Sequence, residues 1–133
     1  MQYPLIALIL NTEDYSSWKR GSYNGYVLIP SNHVLYSKNE DEANYNLLYP
    51  IHGGITYSQL AESDWSKSIL SLGEILDISD ETDKMRVIEY LSAEKYWVLG
   101  FDTAHLGDNP ENWNKTAVTA ETEKLFIMLK HLS

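Results

Sequence analysis

Cysteine is absent from this chain of 133 residues, which excludes disulfides, thiolate catalysis and cysteine-based zinc sites. Positive charge is scarce: 10 Lys and Arg stand against 19 Asp and Glu, the formal net charge is −9, and Arg20 and Arg86 are the only arginines. A nucleic-acid binder needs cations to neutralise phosphates, and no basic run exists here. Direct nucleic-acid binding is therefore not expected, short of an acidic chain mimicking nucleic acid toward a basic partner. Long hydrophobic runs are missing as well. Pro4 to Leu10 is apolar but far too short to span a bilayer, and it has no basic flank. Neither a membrane partner nor any compartment but the cytoplasm is expected. No repeat or low-complexity tract stands out.

What the chain does contain supports a packed core. Hydrophobic residues make up 44%, with 10 tyrosines and 4 tryptophans, and a single domain of this length buries roughly two-thirds of its unfolded surface. Leu5-Ile6-Ala7-Leu8-Ile9-Leu10 reads as a buried strand and Tyr26-Val27-Leu28-Ile29 as a second, ended by Pro30. Asn24-Gly25 is a hairpin-type signal, so these two strands are expected to pair antiparallel. Residues 31–50 read as an exposed polar loop and 45–57 as extended, with Gly53-Gly54 a bulge or close backbone approach. Leu60, Trp65, Ile69, Leu72 and Ile75-Leu76 fit a helical face over 59–76, and Asp80-Glu81-Thr82-Asp83 opens a second helix carrying Met85, Val87-Ile88 and Leu91. Tyr96 to Phe101 is a clear strand and Leu106 to Asn114 a loop. A last helix opens near Thr119, with a stripe of Val118, Leu125, Leu129 and Leu132. The order predicts one α+β domain over 1–133, a mainly antiparallel sheet with helices packed on one face.

Two short segments concentrate the polar chemistry: His52-Gly53-Gly54-Ile55-Thr56-Tyr57-Ser58 and Gly100-Phe101-Asp102-Thr103-Ala104-His105-Leu106-Gly107-Asp108. Asp102, His105 and Asp108 recur at a spacing of three, so a helical turn would set Asp102 beside His105. A carboxylate beside a histidine fixes its tautomer and lets it work as a general base, or the pair ligates a metal. With His52, the set His52, Asp102, His105 and Asp108 offers ligands for a divalent metal; capping and backbone hydrogen bonding account for the same residues without one. His52-Gly53-Gly54 has the look of an oxyanion hole, but no Gly-x-Ser-x-Gly elbow accompanies it, and Ser58 or Thr56 would act as nucleophile only with a base in reach. His33 reads as an exposed loop residue and His131 as a favourable charge at a helix C-terminus. Tyr49, Tyr57, Trp97 and Trp113 are available to stack on a ring.

The run Gly25 to Pro30 with His33 and Leu35-Tyr36, then His52 to Ser58, then Trp97 to Asp102 with Ala104-His105 and Gly107-Asp108, resembles a family of small phage and prophage proteins with HGGLTYS-like and GFDCAH-like motifs. Thr103 stands where that family has cysteine, and the stretch at about 59–95 looks like a helical insertion. The resemblance implies a phage accessory protein of the counter-defence type, acting in the infected bacterial cell. In that setting the first expectation is a non-enzymatic protein that sequesters a small nucleotide-like ligand with His52, Gly53, Gly54, Thr56, Asp102 and His105, as a homo-oligomer. A metal-dependent hydrolase built on the His/Asp set is the second. An acidic inhibitor of a host defence protein, working through Glu40-Asp41-Glu42 and Asp77 to Asp83, is the third.

Overall fold

The computed structural model describes residues 3–11, 23–62, 73–76, 81–103 and 111–132. In chain order the elements are β1 (Ile6–Asn11), β2 (Tyr23–Ile29), α1 (Glu40–Asn46), β3 (Tyr57–Leu60), β4 (Gly73–Ile75), α2 (Glu81–Ala93), β5 (Trp97–Phe101) and α3 (Lys115–Leu132). The strands form one antiparallel sheet in the order β3-β5-β2-β1-β4. Ile6 lies opposite Leu28 and Val27 opposite Leu99, so the three longest strands sit at its centre.

Side chains alternate across a strand, and here both resulting faces are apolar. Ile9, Val27, Ile29, Leu99 and Phe101 project to one side, where Val118, Leu125 and Leu129 of α3 cover them together with Ala43 of α1. Ile6, Leu8, Tyr26, Leu28 and Val98 project to the other, where Val87, Tyr90 and Leu91 of α2 pack. The expected antiparallel α+β domain is what forms, but its helices are shared between the two faces. The cause is the composition of β1, β2 and β5. A sheet covered on one side only would leave Leu8, Leu28 and Val98 in water, and burying each such side chain contributes about 1.5–3 kcal/mol.

Several local features differ from the sequence pattern. Asn24-Gly25 lies inside β2 rather than at a turn. Gly25 is required by close approach: a Cβ there would run into the Phe101 ring and the Thr122 hydroxyl of α3. Within the expected loop, residues 40–46 form α1, capped by Asn39, whose side chain accepts the Glu42 N–H at 2.9 Å. Residues 45–57 are therefore not extended throughout. Leu60 and Ile75, assigned to one helical face, belong instead to the short edge strands β3 and β4; Trp65, Ile69 and Leu72 lie outside the described residues. The last helix begins at Lys115, and Asn114 caps it by accepting the Ala117 N–H at 2.9 Å. Lys115 Nζ also meets Glu74 of β4 at 2.7 Å, which raises the lysine pKa through that hydrogen bond and the glutamate charge. No helix among the described residues is long and apolar enough to cross a membrane.

Candidate functional site

The His52 segment is a turn docked on α3. Gly53 and Gly54 both take positive φ, 68° and 77°, a region that glycine enters without steric cost. Gly54 N–H closes the turn on Ile51 C=O at 2.7 Å, and the Asn44 side chain bridges Ile55 by donating to its C=O and accepting its N–H. His52 N–H donates to Glu121 of α3 at 2.9 Å, while its ring stacks on Trp113 with centroids 3.8 Å apart. Lys124 donates to Pro50 C=O at 3.0 Å and lies 3.6 Å from Glu121. Thr56 N–H continues the β3–β5 ladder to Gly100 C=O, and its side chain is exposed. The N–H groups of His52, Gly54, Ile55 and Thr56 are thus already engaged within the protein. An anion placed over the turn would have to displace one of them or rely on Gly53.

Ser58 is similarly committed. Its hydroxyl donates to Lys38 C=O and accepts from Trp97 Nε1 at 2.8 Å. A buried hydroxyl held between a carbonyl and an indole is a structural hydrogen-bonding group, with no base beside it in this network.

Asp102 follows β5 at one end of the sheet. Its charge bears on Tyr26, which projects to the α2 side and lies over Gly100. Burial raises the Tyr26 pKa most; the hydrogen bond from Asn24 opposes that rise, and Tyr57 and Asp102 add to it. Tyr26 and Tyr57 meet edge to face at 5.8 Å. Thr103 is buried and donates its hydroxyl to Tyr23 C=O at 2.7 Å. His52 is therefore anchored to the α3 side of the sheet, whereas Asp102 acts on a tyrosine of the α2 side. His105 and Asp108 lie outside the described residues. Among the described residues, no group of three or more His, Asp or Glu side chains is placed to hold a metal ion.

His33 has the opposite character to the one expected of it. It is 4% exposed. Leu35 N–H points at Nδ1 at 3.0 Å, so the ring proton sits on Nε2 and donates to Leu129 C=O at 2.7 Å. Leu129 is in the last turn of α3, whose carbonyls have no partner within the helix. His33 supplies one and pins the 30–38 turns to the helix end. A Pro-Ser-Asn-His run after a strand gives little sign of this; the signal lies in the three-dimensional packing.

A concavity lies elsewhere on the described surface, beside the His52 turn. The segment Asn46–Tyr49 leaves α1 and runs along the outer side of α3, enclosing a groove of about 810 Å³. Leu48, Tyr49, Ile127, Met128 and Leu132 give it apolar walls, with Glu123 among its lining residues. Tyr49 N–H contacts Met128 Sδ at 3.4 Å and fixes the near wall. Leu48 is 78% exposed and Ile127 55%, and Tyr45 stands exposed just before the wall. A smaller concavity of about 310 Å³ is lined by the start of β1 and by Ile75 and Leu76, with α2 and α3 contributing from either face of the sheet; after Leu76 the chain leaves the described residues. Comparison with protein-family models, curated proteins and solved structures matches none of them.

Proposed function

We propose that this protein works by binding, as an acidic inhibitor or adaptor that engages a partner protein through the groove between Asn46–Tyr49 and α3. The observation that carries this reading is the groove itself: Leu48, Tyr49 and Ile127 are large apolar side chains left exposed together on one concave surface. Contiguous exposed apolar surface rimmed by polar residues marks interaction sites in soluble proteins. A photo-crosslinking residue at position 127 tests it in cells that express the protein. A protein adduct is expected from Ile127 and not from an exposed position on α2 such as Glu89. Its absence would overturn the reading. The resemblance to phage proteins adds the setting, in which the partner is a host defence protein.

The nucleotide-sequestering reading draws on the His52–Trp113 stack, an aromatic surface beside the glycine turn. A native mass spectrum taken before dialysis separates these readings. A nucleotide-sized adduct on the intact chain supports sequestration, and a metal-sized one supports the hydrolase.

A further inference from the structure

Building on the partner-protein reading, we infer that the occupant of this groove is a basic amphipathic helix of the partner. Three features define it. The outer wall of α3 from Ala120 to Leu132 spans twelve residue steps, about 18 Å at the α-helical rise, which is the length of a few helical turns. The groove lies between α3 and the segment after α1, and the sheet's edge strands, β3 and β4, do not line it. Recognition there works by inserting anchors at i, i+3, i+4 and i+7 rather than by adding a strand. Ile127 and Leu48 both line the groove and are both exposed, which makes them the natural contacts for such anchors.

Charge decides between occupants. The chain carries −9 overall; the groove lining holds Glu123 with Lys124 and His131, and Glu40, Asp41 and Glu42, the last 3.9 Å from Lys38, form the first turn of α1, the helix that leads into its wall. Lys124, the lysine on the lining, already donates to Pro50 C=O and neighbours Glu121. A second copy would bring another −9 against the first, and like-charge opposition disfavours it. A helix with Lys or Arg flanking its apolar stripe is steered in by the same field.

Two synthetic amphipathic helical peptides test this by titration calorimetry. They share one leucine stripe, and one carries lysine and the other glutamate at the remaining positions. The lysine peptide is expected to bind the wild-type chain and the glutamate peptide not to. Leu48→Asp and Ile127→Asp should each weaken binding about tenfold or more. Met85→Asp makes the same change at an exposed apolar residue of α2 and should leave the affinity unaltered. Thermal melting of each variant confirms that it folds.

Equal binding of both peptides, or equal weakening by all three variants, would overturn the inference. So would the absence of any binding, or self-association that Ile127→Asp abolishes. The two claims fail separately. A protein captured by crosslinking from position 127 through a segment that is not a basic helix sinks this inference and leaves the binding reading standing. No capture from position 127 sinks both.

Discussion

Both sides of α3 carry large apolar residues, and those residues end in different situations. On the inner side, Val118, Thr122, Leu125 and Leu129 are each 0% exposed and lie against the sheet; even the Thr122 hydroxyl is satisfied, donating to Val118 C=O at 2.7 Å. On the outer side Ile127 is apolar and 55% exposed, and it shares its groove with an exposed leucine and tyrosine. Apolarity alone does not separate a core position from a contact position. What separates them is whether the same chain brings a second surface to cover them.

Substitutions along α3 sharpen that contrast. Leu125→Ala should cost about 2–5 kcal/mol, because the sheet and helix cannot close around the lost side chain; chemical denaturation measures it. His33→Ala should follow, at about 2–3 kcal/mol, since it leaves the Leu35 N–H and the Leu129 C=O without their partner in a buried place. Substitution of a loop residue as costly as that of a core leucine would mark the 30–38 turns as part of the folded unit.

A smaller effect separates the α2 side. Tyr96 is 1% exposed and donates its hydroxyl to Pro4 C=O at 2.8 Å. Burial, with Glu94, Tyr90 and Tyr3 adding, raises its pKa, and burial raises that of Tyr26 too. The unfolded chain releases a tyrosine proton near pH 10 while the folded one keeps it. Stability from these groups is therefore intact below about pH 10 and lost as pH climbs toward the folded values. Tyr96→Phe should cost about 1 kcal/mol at pH 7 and show a shallower alkaline decline, read from thermal melts between neutral and strongly alkaline pH. Smallest of all, Ile127→Ala should stay within about 0.5 kcal/mol of wild type in stability, its consequence appearing only in binding.

The elements legible in the sequence are those whose buried stripe is long. β1, β2 and β5 show as apolar runs, and α2 and α3 show helical spacing. α1 buries only Ala43 among its seven residues, so it carries almost no periodic signal. Asn39 followed by Glu40-Asp41-Glu42 is a capping signature that a reading based on hydrophobicity passes over. β3 and β4, at four and three residues, are too short to display alternation, and Leu60 and Ile75 blend into an apparent helical spacing. Gly53-Gly54 signal special backbone geometry, read as a bulge or close approach in an extended run; both glycines take positive φ in a turn ahead of β3.

The candidate sites were less legible. The histidines alone gave no clue to which was buried: His33 has both ring nitrogens engaged, whereas His52 is half-buried against Trp113. The groove did leave a trace, since Ile127 falls off the stripe of Val118, Leu125, Leu129 and Leu132, and Leu47-Leu48-Tyr49 is an apolar run in a polar neighbourhood. Joining those two traces requires the fold, because 79 residues separate Tyr49 from its contact Met128.

The most direct test of the outer side of α3 as a binding surface is a two-dimensional amide NMR titration of the isotope-labelled chain with the lysine–leucine peptide. Shift changes concentrated at residues 46–49 and along 120–132, with the strands of the sheet unmoved, are the predicted result. Changes centred on His52–Gly54 or on Asp102–Thr103, with Leu48 and Ile127 silent, would contradict the account.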